Sequence, residues 1–80
     1  MMRAKIKRET VNQILLRRNI SQNHLAKRLR ISSGYCSQIL AGTRFPSPKV
    51  RARLMRELDS DFDTIFEAII AGKLEVSNAR

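Results

Sequence analysis

Few residues in this chain are equipped for chemistry. There is one histidine, His24, one cysteine, Cys36, and seven carboxylates, five of which crowd into residues 59–80. These provide no nucleophile–base pair, no His/Cys spacing for a metal and no glycine-rich phosphate loop, so neither catalysis nor a bound metal or cofactor is expected. Uncharged hydrogen-bonding groups are gathered instead in "ISSGYCSQIL", residues 31–40: the hydroxyls of Ser32, Ser33, Tyr35 and Ser37, the amide of Gln38, and Gly34 among them. A hydroxyl and a side-chain amide each donate and accept, which suits recognition of a polar edge rather than bond-making.

Charge narrows the kind of edge. Residues 1–58 hold fourteen Lys and Arg against two acids, Glu9 and Glu57, while residues 59–80 hold two basic residues against five acidic ones, giving +9 in all. Basicity gathered in one part of a chain is the footprint of a polyanion binder. On charge alone, a basic surface kept for solubility stays open as the other reading.

Eighty residues, 42% hydrophobic and 29% charged, make one small soluble domain spanning 1–80; such a chain buries only about 60% of its unfolded surface, in one modest core. No apolar run reaches the roughly 18 residues of a membrane span. The start "MMRAKIKRET" is followed by no apolar segment of a secretory signal, and a lone cysteine forms no internal disulfide. A cytoplasmic, nucleoid-associated protein without a membrane or small-molecule partner is therefore expected.

The elements that must position the polar groups read as helices. Val11, Ile14 and Leu15 share one face of a first helix over roughly residues 4–18, which Asn19 can end. Ser21 is a good N-cap for a second helix, Gln22 to Leu29, with Leu25, Ala26 and Leu29 inward. A third starts at Ser32 or Ser33 and buries Cys36, Ile39 and Leu40, so that Gly34 and Gln38 point outward and Ser37 and Tyr35 flank them. Gly42 is its natural stop. Ser47-Pro48 opens a fourth helix running to about Leu58, because proline is favoured at a first helical position. A C-terminal helix over about 61–71 ends before Gly72 and carries the stripe Phe62, Ile65, Phe66, Ile69 and Ile70. Almost nothing reads as strand. The expected fold class is all-α: a compact bundle of about five short helices.

"SQNHLAKRLRISSGYCSQILAGTRFPSPK" resembles the helix-turn-helix of the Cro/CI-type (XRE-like) DNA-binding family. The resemblance rests on Ser21-Gln22, Leu25-Ala26, Ile31-Ser32, Ser37-Gln38-Ile39 and Gly42 to Pro46, and covers about residues 7–58, with the motif itself at about 21–40. It implies a lambda repressor-like domain and dimers on palindromic operators. Ala26 would let the two motif helices approach closely. Two positions depart from the pattern. Arg30 stands where the turn often has glycine, which strains the backbone by about 1 kcal/mol or demands another turn geometry. Leu15 stands where many members have an arginine, which removes a common buried ion pair.

On that resemblance the chain is a sequence-specific regulator of duplex DNA, a phage- or bacterial-type repressor. The third helix lies in the major groove, making Ser33, Gly34, Tyr35, Ser37 and Gln38 the base-contacting candidates. Gln38 leads, since an amide can bond bidentately to adenine. No Arg or Lys is expected on this face. Phosphate contacts fall to Gln22, Ser32, Thr43, Arg44 and Lys49. The basic arm Arg3, Lys5, Lys7 and Arg8 either attracts DNA non-specifically, reaches a groove, or is a solubilising terminus. Arg51, Arg53 and Arg56 read as a solvated face, His24 as a surface residue and Cys36 as a small buried hydrophobe. The Phe62, Ile65, Phe66, Ile69, Ile70 stripe either caps the core or also forms a homodimer. Two other classes stay open: a protein-interaction module, such as an antitoxin whose C-terminal helix holds a partner, and an RNA binder suggested by charge.

Overall fold

The computed structural model describes residues 2–70 and 73–74. Along the chain these form strand β1 (Met2–Ile6), helices α1 (Arg8–Arg17), α2 (Gln22–Leu29), α3 (Ser33–Ala41), α4 (Pro48–Glu57) and α5 (Phe62–Ile65), then strands β2 (Phe66–Ile70) and β3 (Lys73–Leu74). The fold is predominantly helical, five helices including the helix-turn-helix pair α2–α3, with a small antiparallel sheet in the order β1-β2-β3.

Local sequence accounts for the helix starts. Ser21, Ser32, Ser47 and Asp61 are extended N-cap residues whose side chains accept from the backbone N–H groups of His24, Tyr35, Val50 and Thr64 respectively. Each bond satisfies a donor that has no partner inside its own helix. The stops share one device. Asn19, Arg30, Gly42 and Asp59 follow α1 to α4 in a left-handed conformation. In each case the next residue's N–H reaches back to a carbonyl five residues earlier, as in Ile31 N to Ala26 O at 3.1 Å and Thr43 N to Gln38 O at 3.0 Å. The turn at Arg30 thus keeps the usual geometry and bears the strain, with φ 60° and ψ 42°.

Both ends of the chain depart from the helical expectation. The first helix begins at Arg8, not near residue 4, because Ala4 and Ile6 alternate inward against exposed Arg3 and Lys5 as a strand requires. The C-terminal helix stops at Ile65 instead of running through 61–71. Phe66 is extended, and its strand pairs with β1 so that Ile6 stands opposite Phe66 and Lys5 opposite Glu67. Phe66 is therefore 1% exposed and Ile65 0%, both core residues rather than parts of an outward stripe. Phe62 and Ile69 are half-buried, whereas Gly72 and the side chains of Ile70 and Leu74 lie outside the described residues. Closing the core with a strand explains why 3.6-residue spacing misled: Ile65 is the last residue of a helix, and Phe66 reaches the same core from the strand that follows.

Val11, Leu15, Leu25, Leu29, Ile39 and Leu54 fill the interior with Cys36, and no polar or charged residue among those described is buried. Leu15 is thus a core residue in its own right, in an interior without a buried ion pair. Ala26 is buried, 3% exposed, on a helix that packs against both α3 and α4. Arg53, read from sequence as part of a solvated face, is half-buried and donates to the Leu29 carbonyl at 2.9 Å, capping the end of α2. Arg51 similarly donates to the Pro46 carbonyl at 3.2 Å. No helix among the described residues is long and apolar enough to cross a membrane.

Candidate nucleic-acid interface

The outer face of α3 is built by subtraction. Cys36, Ile39 and Leu40 turn into the core, which leaves Ser33, Gly34, Ser37 and Gln38 exposed and Tyr35 half-buried at the margin. A methyl group built on Gly34 would meet nothing within 4 Å. Sterically this part of the helix is open. Ser33 and Ser37 are exposed, so their hydroxyls are within reach of a ligand.

Tyr35, Gln38 and Arg44 come together. Arg44 Nη1 donates to Gln38 Oε1 at 3.2 Å, and the guanidinium carbon lies 4.6 Å from the centre of the Tyr35 ring, within range of a cation–π attraction. The Tyr35 hydroxyl accepts from Ser47 N at 3.4 Å, linking α3 to the cap of α4. A cation is thus present on a face expected to have none. The reason is the left-handed Gly42, φ 80°, which reverses the chain so that residue 44 returns beside residue 38. Glycine after a helix was a visible signal for that reversal; its consequence for Arg44 was not drawn from the sequence.

The phosphate candidates separate into two groups. Gln22 is exposed at the start of α2, where the N–H groups of Gln22 and Asn23 have no partner within the helix. Lys49 is exposed in the first turn of α4. Ser32 accepts from Tyr35 N at 3.0 Å and keeps its hydroxyl hydrogen to donate. Thr43 is different, because both its N–H and its hydroxyl point at the Gln38 carbonyl, at 3.0 and 3.2 Å. It closes the end of α3 and has no donor left for a phosphate. In the basic arm, Arg3 lies on β1 with its guanidinium 5.3 Å from the Phe45 ring, and Lys7 Nζ donates to the Asp63 carbonyl at 2.7 Å. Arg3, Arg44 and Arg51 line a shallow cleft over Phe45, Pro46 and Pro48. The arm is therefore tied to the sheet and to the loop after α3.

The other singled-out residues have plain roles. Burial pushes the Cys36 thiol above its ordinary pKa, and its Sγ lies 3.8 Å from the Gln22 carbonyl. His24 is exposed, with Nε2 accepting from Arg28 Nε at 3.4 Å. No cluster of three or more His, Cys, Asp or Glu residues suited to a metal occurs among the described residues.

A helix-turn-helix family matches residues 11–65, from the first turn of α1 to the end of α5. No curated protein matches the chain. Among solved structures it is similar to the crystal structure of the transcriptional regulator VanUg, form II, with 20% identity, coverage of 85% of this chain and 87% of that one, and a TM-score of 0.64. At that identity the likeness concerns the fold alone. With more than half its residues matched, the chain belongs to the XRE-like helix-turn-helix family of DNA-binding transcription regulators.

Proposed function

We propose that this protein is a sequence-specific repressor, a single domain over residues 1–80 that reads a two-fold operator in duplex DNA with α3 in the major groove. The observation that carries the reading is the outer face of α3: exposed, polar, free of carboxylates, and sterically open at Gly34. Ser33, Gly34, Ser37 and Gln38 meet base edges, with Tyr35 bracing them from the side. Gln22, the free amides of the α2 start, Ser32 and Lys49 meet phosphates, while Arg44 works beside Gln38 and Thr43 holds the helix end. Two copies on one operator set their α3 helices about one DNA turn, ~34 Å, apart. Their contact has to avoid Ile65 and Phe66, which are occupied in the core. The same burial weakens the reading as a partner-binding module, since two of its five anchor residues are not on offer. A repressor of this kind works in the cytoplasm, at the nucleoid.

Selection of binding sites from a random duplex library at near-physiological salt tests this. A recovered two-fold motif is expected, and Gln38→Ala should then lose base discrimination of about 1–3 kcal/mol at one position per half-site. A library returned without enrichment would overturn the reading, and a motif without symmetry would remove the dimer from it.

A further inference from the structure

Gln38 and Arg44 carry a sharper statement about specificity, one that rests on the DNA-reading role of α3. We propose that Arg44 decides which base Gln38 reads, by taking up one side of the amide oxygen and adding its own N–H donors beside those of the amide, so that the pair selects guanine rather than adenine.

The orientation of the Gln38 amide follows from chemistry. A guanidinium has five N–H donors and no acceptor, so the amide atom it touches must be the oxygen. Arg44 Nη1 lies 3.2 Å from Gln38 Oε1. The guanidinium is held there from one further side, and its loop is fixed as well. It lies 4.6 Å from the Tyr35 ring centre, and Tyr35 is in turn fixed by its hydroxyl's contact with Ser47 N. Thr43, the residue before it, is bonded twice to the Gln38 carbonyl, which fixes the loop's path back to α3. The amide is thereby aimed before DNA arrives.

Adenine recognition by glutamine needs both halves of the amide: the oxygen accepts from N6 and the nitrogen donates to N7. Arg44 takes one of that oxygen's two lone pairs and brings its remaining N–H groups beside the Gln38 Nε2 hydrogens, so donors outnumber the single lone pair left to accept. Guanine offers two acceptors on its major-groove edge, O6 and N7, and matches such an array. Adenine would set its N6 hydrogens against those donors. Gln38 alone thus reads as an adenine contact, and Gln38 with Arg44 as a guanine contact.

The experiment compares wild type with Arg44→Met, which keeps the aliphatic stem and loses the donors, and with Gln38→Ala, which marks the operator position concerned. Each is put through duplex site selection, followed by affinity measurement on duplexes differing only at that position. Arg44→Ala provides a second version of the donor loss, and melting curves confirm that every variant is folded. Wild type is expected to favour guanine at the marked position by roughly five- to a hundredfold. Either Arg44 variant should lose that preference and move toward adenine. Adenine favoured by wild type, or guanine retained after Arg44→Met, would overturn the proposal while leaving DNA reading intact. Wild type that selects no sequence at all would overturn both.

Discussion

Arg30 stores backbone strain that a single substitution should release. Its φ of 60° and ψ of 42° lie in the left-handed region, where a side chain with a Cβ costs about 1–2 kcal/mol. The Ile31 N to Ala26 O bond at 3.1 Å depends on that conformation, so the chain cannot relax out of it without opening the turn between α2 and α3. In Arg30→Gly this cost disappears, and glycine's extra folding entropy of about 0.5–1 kcal/mol is set against it. The mutation also removes one of four guanidiniums around a single carboxylate, since Arg28, Arg30, Arg53 and Arg56 line one cleft with Glu57. That relief is worth a few tenths of a kcal/mol at low salt and is screened at high salt. The expected gain is about 1 kcal/mol, a rise in melting temperature of roughly 4–8 °C for a domain of this size. Urea unfolding followed by circular dichroism measures it, with Arg30→Ala as the control. Alanine removes the same charge but keeps the Cβ, so it should recover only the screened electrostatic part. Equal stabilities for the glycine and alanine variants at high salt would refute the argument from strain.

Three further outcomes follow from the same structure. Phe66→Ala should destabilise the protein by about 3–5 kcal/mol and abolish DNA binding in a retention assay, although Phe66 is remote in sequence from α3, because a residue 1% exposed leaves a cavity where the sheet closes the core. Gly34→Ala should raise stability by about 0.5–1 kcal/mol, since the added methyl meets nothing in the free protein; measured beside this, a loss of operator affinity would locate DNA against that methyl, and unchanged affinity would remove Gly34 from the contact. Hydrogen bonds from the Thr64 hydroxyl and N–H hold the Asp61 carboxyl below its ordinary pKa, so its stabilising effect is present above the unfolded-state value and is lost as pH falls through the folded one. Asp61→Asn should accordingly flatten the acid side of a stability-against-pH curve, and an unchanged slope would show that the cap carries no pH dependence.

The central helices were legible because their signals are local. Ser21, Ser32 and Ser47 act within three residues, and Leu25, Leu29, Cys36 and Ile39 recur at helical spacing, so short-range hydrogen bonding and periodicity sufficed to place α2, α3 and α4. The exposure of Ser33, Gly34, Ser37 and Gln38 followed from the same periodicity. The two ends were not legible in this way. Arg3 to Ile6 alternates over too few residues to outweigh a helical reading, and Phe66 to Ile70 mimics a helix stripe until its partner some sixty positions away is known. Strand pairing is a long-range choice, and nothing within either segment records it.

Composition and local pattern alone determined a basic, largely helical chain with an uncharged polar face on its third helix. Tertiary structure decided that Met2–Ile6 and Phe66–Ile70 pair in a sheet, that Arg53 caps α2, and that Arg44 returns through the Gly42 turn to hold Gln38. The physical reason is common to all three. Each depends on groups brought together by the path of the backbone between them, and an amide's free hydrogen-bonding side is set by whichever neighbour that path delivers.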